Sequence, residues 1–354
     1  MSVSMEMMRT ADRRTTRLGY LTVAVSAILF SAKSVFIKIC FAHGATPMAV
    51  IALRSGFSLP FFVGMALYPR FSRSRSTLPP LSRRDLIIIA GLGLLGFYVA
   101  SVLNIIGLLY VSAGTERLIL YVYPSLVVIL SAWIFRKPIP RQMILPLVLS
   151  YAGIALSFGS ELAEKPGGNL YLGGILIFLS ALSYALFLVG QGKLVHRVGP
   201  QRLGAYAMLA ASVAVFVQYA LVKPLHELLQ PAIVYWMTGI TAVFCTVVPV
   251  YLVGYGVRAI GTGRAAIVSS VGPVSTFAMA ALLLGEAPGI LQMAGLGLVL
   301  LSSLILASGS FSAVPNMESD LDGAGKLGLE VVSQGKTSPS SQSAGETAYQ
   351  SSKD

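Results

Sequence analysis

The chain has 354 residues, 55% hydrophobic and only 11% charged, with a formal net charge of +12 and a mean hydropathy of +0.77. A soluble domain carries about a quarter charged residues, so this composition cannot cover a globule with polar surface in water. Apolar runs of about 20 residues read instead as bilayer-spanning helices, and their lack of alternation excludes barrel strands.

Residues 1–17 form a basic leader with Arg9, Arg13, Arg14 and Arg17. A targeting leader is the rival reading. The apolar run that follows from Leu18 is too long for a signal core, which favours a cytoplasmic anchor. Ten spans follow in order: Leu18–Phe41, Pro47–Tyr68, Leu86–Leu109, Thr115–Phe135, Met143–Phe158, Leu170–Gln191, Leu203–Val222, Ile233–Val257, Ala265–Leu284 and Ile290–Ser308. From residue 310 to 354 the chain turns to Ser, Gly, Asp, Glu and Lys, a composition too poor in apolar groups to offset its ordering entropy. This tail is expected to be disordered and cytoplasmic.

Lysine and arginine test the span count. With the amino terminus inside, the leader and the alternate loops carry seventeen of them: the four leader arginines, Arg70, Arg73, Arg75, Arg83, Arg84, Arg136, Lys137, Arg141, Lys193, Arg197, Arg202, Arg258 and Arg264. The opposite loops carry two, Lys165 and Lys223. That bias places both termini in the cytoplasm. It also accounts for the positive net charge without nucleic acid.

The chain contains an internal echo. Gly107 to Pro124 (GLLYVSAGTERLILYVYP) is matched 149 residues later by Gly256 to Pro273 (GVRAIGTGRAAIVSSVGP). Gly107 aligns with Gly256, Gly114 with Gly263, Val122 with Val271 and Pro124 with Pro273. Each copy joins two apolar segments through a glycine-bearing turn and puts a proline one third of the way into the second. Gly114 and Gly263 are the expected turn positions, Pro124 and Pro273 the expected bends. The first repeat then covers residues 18–159 and the second 167–309. Five spans per repeat turn the second copy upside down, and the charge pattern of the loops inverts accordingly.

With these features in place, the chain resembles the EamA-type transporters of the drug/metabolite transporter superfamily over about Leu18 to Ser308. The resemblance rests on Phe30-Ser31-Ala32-Lys33 to Lys38, Pro47 and Arg54, Ser112-Ala113-Gly114 and Pro124. In the second repeat it rests on Gly263, Pro273 and Gly285-Glu286. Two departures stand out: Phe30 replaces the family's usual tryptophan, and Arg136-Lys137 replaces an acidic residue after the fourth span. The resemblance implies an all-α membrane protein of ten helices in two inverted five-helix repeats. It also implies metabolite export from the cell across the inner membrane.

Ionisable residues inside spans carry the functional signal, because each costs about 2.5–3.5 kcal/mol at mid-span without a partner or water. Lys33, Lys38, Arg54, Glu116 and Arg117 fall in the outer halves of their spans. At about 1.5 Å per residue, Lys33 and Arg54 lie roughly 10–12 Å below the outer surface, too deep for simple snorkelling. They are the expected cationic floor of a solute path, together with mid-membrane Asn104 and with Tyr121 beside the repeated proline. Lys38, Glu116 and Arg117 are expected to form an outer ionic network or gate, Glu116 pairing with Arg54 or Lys38.

Enzyme signals are poor. His43, His196 and His226 occupy three separate loops, and Gly91-x-Gly93-x-x-Gly96 lies within a span with no preceding strand. Cys40 and Cys245 sit alone in different spans. No catalytic residue, metal or cofactor is expected, and the partners are a small solute and the bilayer. The sequence points to a gradient-driven transporter of a small polar metabolite, amino-acid-like or anionic. An organic-phosphate or nucleotide-sugar exchanger is the alternative transporter, and a non-transporting membrane sensor or scaffold is the alternative of another class.

Overall fold

Within a bilayer each backbone N–H and C=O must find its partner inside the protein, which leaves helices as the natural element for continuous apolar runs. A computed structural model describes residues 2–71, 81–136, 138–139, 141–164 and 169–308, and no strand occurs among them. The tail 310–354 and the basic residues Arg73, Arg75, Lys137 and Lys165 lie outside the described residues.

The helices, in order, are α1 (Ser2–Ala42) and α2 (Pro47–Phe71). Next come α3, continuous from Arg83–Gly93 through Leu94–Val99 to Ala100–Gly107, and α4, in two pieces, Ala113–Leu120 and Tyr123–Phe135. Then follow α5 (Ile144–Glu164), α6 (Leu170–Val198) and α7 (Pro200–Val222). The last three are α8 (Ala232–Ala242, Val243–Val247 and Val248–Ile260), α9 (Thr262–Ser269 and Val271–Leu284) and α10 (Ile290–Ser308). Among the described residues, nine helices are long and apolar enough to cross a membrane, and Ile290–Leu306 of α10 is a shorter apolar one.

The internal echo becomes geometry. Helices α3 and α8 each contain a π-helical stretch, beginning at Leu94 and Val243, which are again 149 residues apart. Helices α4 and α9 each break at equivalent points, Tyr121 (φ −65°, ψ −2°) and Ser270 (φ −64°, ψ −12°). In both, the repeated proline sits just beyond the break, where a missing N–H costs little. The glycines expected at the turns, Gly114 and Gly263, instead lie inside helices. The turns are made by Ser112, which caps α4 by accepting from the Thr115 N–H, and by Gly261 at φ +82°. Gly261 needs the left-handed backbone that glycine tolerates. Gly114 answers a different demand: a Cβ there would stand 2.6 Å from the Phe277 ring of α9.

Packing follows the same symmetry. Helix α1 packs on α8 and α9, as α6 packs on α3 and α4; α2 meets α8 as α7 meets α3; α2 meets α7, and α5 meets α10. Exchanging each helix for the one five places along maps this set onto itself. Among the contacts that break the pattern are α1 with α4 and α2 with α3, which have no counterpart of similar extent in the second half.

Lipid tails are as apolar as leucine, so close backbone approach rather than hydrophobic burial holds such helices together. Helices α5 and α10 show it plainly. A Cβ on Gly153 would lie 2.6 Å from the Gly295 carbonyl oxygen, and one on Gly295 would lie 2.4 Å from that of Gly153. Gly297, two residues on, faces open space. Gly295→Ala is therefore expected to cost about 1–3 kcal/mol through overpacking, read as a lower thermal midpoint of purified protein, while Gly297→Ala leaves the midpoint unchanged.

Candidate functional site

A cavity of about 430 Å³ lies in the middle of the helical assembly, lined by α1–α4 and α6–α9, with no lining residue from α5 or α10. Three cations face it: Lys33 from α1, Arg54 from α2 and Arg117 from the first piece of α4. No carboxylate lines it among the described residues. Aromatic rings also line it: Phe97, Tyr121, Tyr123 and Tyr184. Tyr123 meets Tyr121 and Tyr184 edge-on at centroid distances of 6.5 Å and 5.5 Å. Tyr184 stacks on Phe187, which in turn meets Phe97 at 4.8 Å.

Each cation is held differently. Lys33 Nζ donates to Asn104 Oδ1 at 3.3 Å. The Asn104 amide donates onward to Glu116 Oε1 at 2.6 Å, and Ser34 Oγ donates to Glu116 Oε2, also at 2.6 Å. Glu116 is fully buried, so Asn104 and Ser34 do for it what water cannot. The Arg54 guanidinium donates to Ser101 Oγ at 3.0 Å. Arg117 carries its guanidinium 5.7 Å from the centre of the Tyr121 ring, a cation–π distance. Its Nε is buried and has no hydrogen-bond partner among the described residues.

The breaks in α4 and α9 are part of this site. A helix end leaves carbonyls without intrahelical partners. The Tyr121 hydroxyl, at the break in α4, donates to the Ser269 carbonyl at the break in α9, at 2.8 Å. The two halves of the chain thus meet at their equivalent weak points, beside the cavity.

Sequence reasoning expected Glu116 to pair with Arg54 or Lys38. The structure places it with Asn104 and Ser34 instead, because Glu116 and Arg117 are neighbours on one helical turn and point to different sides. Arg117, expected in an outer network, lines the central cavity beside Lys33, Arg54, Asn104 and Tyr121. Lys38 pairs with Glu286 at 2.8 Å. The other Glu286 oxygen accepts from the Ala113 N–H at 3.0 Å. Glu161 accepts from the Ser112 N–H at 2.6 Å and from Ser112 Oγ at 2.9 Å. Glu161 is 2% exposed and was missed by sequence reasoning. Its signal was position: an acidic residue at the end of an apolar run must find donors on another element.

The sequence profile of the EamA-like transporter family matches residues 17–159 and 171–308, one match per repeat. The chain belongs to the EamA-like transporter family. That family is part of the drug/metabolite transporter superfamily. A relative in Bacillus subtilis (strain 168), named "Uncharacterized transporter YcbK", is 33% identical over 293 residues, 80% of this chain and 91% of that protein. A relative in Archaeoglobus fulgidus, named "Uncharacterized transporter", is 26% identical over 298 residues, 83% of this chain and 97% of that protein. A solved crystal structure superposes with a TM-score of 0.56 at 14% identity, covering 81% of this chain and 95% of that one, which supports the fold. The protein is accordingly a multi-pass membrane transporter.

The Asn104 bridge yields a testable consequence. Asn104→Leu removes one of the two side-chain donors to a fully buried carboxylate, for an expected cost of about 1–3 kcal/mol. The check is the thermal midpoint of purified protein. The same substitution together with Glu116→Gln, which needs less donor support, should recover part of that loss.

Proposed function

We propose that this EamA protein is an alternating-access exporter of a small polar metabolite bearing a negative charge, amino-acid-like or anionic, driven by a solute or ion gradient. It spans the inner membrane ten times, with both termini cytoplasmic, as two inverted five-helix repeats that rock about the central cavity. The direction of transport and the membrane come from family resemblance. The orientation is supported by the seventeen-to-two bias of basic residues between alternate loops. The repeat-exchange symmetry of the helix packing supports two equivalent repeats, and the odd number of spans in each, with the inverted loop charges, supports their opposite orientation.

One observation carries the solute class: Lys33, Arg54 and Arg117 share a cavity that no carboxylate lines among the described residues. Like charges in a low-dielectric space repel, and a bound anion offsets both that repulsion and the cost of placing each cation at mid-membrane. The aromatic rings supply apolar surface for the body of the solute. Lys33 and Arg54 engage the anionic group, Arg117 joins them, and Tyr121 and Asn104 line the path. Lys38, paired with Glu286, contributes to the outer gate.

A cluster of three cations also favours an exchanger of organic phosphates, whose second charge would occupy the third cation. Counterflow into proteoliposomes with a panel of amino acids, carboxylates and phosphate esters separates these readings. Loss of one charge-assisted contact is expected to lower counterflow about tenfold or more in Lys33→Ala and Arg54→Ala, with both variants still reaching the membrane. Unchanged flux in both would remove the cations from the solute path. Removal of residues 309–354 should leave flux intact, whereas a sensor that signals through that segment would lose its output.

A further inference from the structure

A second cavity, of about 250 Å³, lies where the amino end of α4, the end of α5, the α9–α10 connection and the start of α10 meet. It shares no lining residue with the central cavity. Its chemistry is the reverse. Glu161, Glu164 and Glu286 line it. The cation in contact with them among the described residues is Lys38, on Glu286. Among the described residues three carboxylates thus face one ammonium, with Glu161 buried, Glu286 half-buried and Glu164 exposed at the rim, an excess of negative charge that a bound cation relieves.

The carboxylates keep acceptor capacity for it. An ionised carboxylate offers about four acceptor positions. Glu161 uses two on Ser112, Glu286 uses two on Lys38 and Ala113, and Glu164 accepts from Ser160 Oγ at 3.3 Å. A second, independent feature points the same way. Gln292 is only 5% exposed, lines this cavity, and makes no hydrogen bond to any described residue. With no partner among the described residues, its amide group is open to the cavity, and its carbonyl oxygen is a further ligand for positive charge.

We propose that this cavity binds a monovalent cation, either a hydrated alkali ion or a primary ammonium group, through Glu161, Glu164, Glu286 and the Gln292 carbonyl. The acidic and other ligating side chains do not form a group tight enough to cage a metal ion directly among the described residues, which favours a hydrated or N–H-bearing cation. Occupancy ties α5 and α10 to the amino end of α4, next to the Lys38–Glu286 pair.

The test is the thermal midpoint of the full-length detergent-purified protein, with choline chloride replaced by sodium, potassium or methylammonium chloride at constant ionic strength. Choline carries no N–H donor and serves as the reference. A saturable rise is expected with at least one of the three, and the salt that produces it distinguishes an alkali ion from an ammonium group. Glu164→Gln and Gln292→Leu are expected to weaken the apparent affinity about tenfold without lowering the midpoint in choline, because neither side chain caps α4. A wild-type midpoint that ignores all three cations, or variants that respond as the wild type does, would overturn the proposal. The readout is stability, so it stands apart from whether the central cavity carries anions.

Discussion

The structure depends on how the bare amino end of α4 is satisfied inside the membrane assembly. The Ser112 and Ala113 N–H groups have no intrahelical partner, and lipid offers none. Two carboxylates from distant parts of the chain supply it, Glu161 from the end of α5 and Glu286 from the α9–α10 connection. Negative charge there also complements the helix dipole. Because Lys38 holds Glu286, the same junction ties in α1. Three elements therefore converge on the first turn of one short helix. That turn goes on to place Glu116 behind the central cavity and Arg117 in it.

Around this junction the fold is a symmetric object used asymmetrically. The π-helical stretches, the helix breaks and the main packing contacts all repeat across the two halves. The charges do not. Lys33, Arg54 and Arg117 all come from the first repeat, and the contacts of α1 with α4 and α2 with α3, without counterparts of similar extent, are where Ser34 meets Glu116 and Arg54 meets Ser101. The second repeat contributes uncharged groups instead, such as the Tyr184 ring and the Ser269 carbonyl that accepts from Tyr121. Duplication supplies the scaffold, and divergence of one copy supplies the electrostatics. The two cavities then differ in sign, one lined by cations and the other by carboxylates, and α4 and α9 contribute residues to both.

Much of this was legible in the residues alone. Composition and run length determine that the chain is a helical membrane protein, because lipid cannot solvate an open backbone. The echo at an offset of 149 residues locates the equivalent breaks at Tyr121 and Ser270 to within a few positions, because proline restricts the backbone wherever it stands. Charges inside spans identify Lys33 and Arg54 as cavity-facing candidates, because their desolvation is costly. What only the tertiary structure decided is who meets whom. Glu116 was expected to hold a cation and holds Asn104 and Ser34; Lys38 reaches 248 residues along the chain to Glu286; Arg117 turns inward while its neighbour turns away. The reason is physical: the cost of burying a charge is local and can be read from one residue, whereas the partner that offsets it is chosen by helix rotation and packing, which depend on every other helix at once.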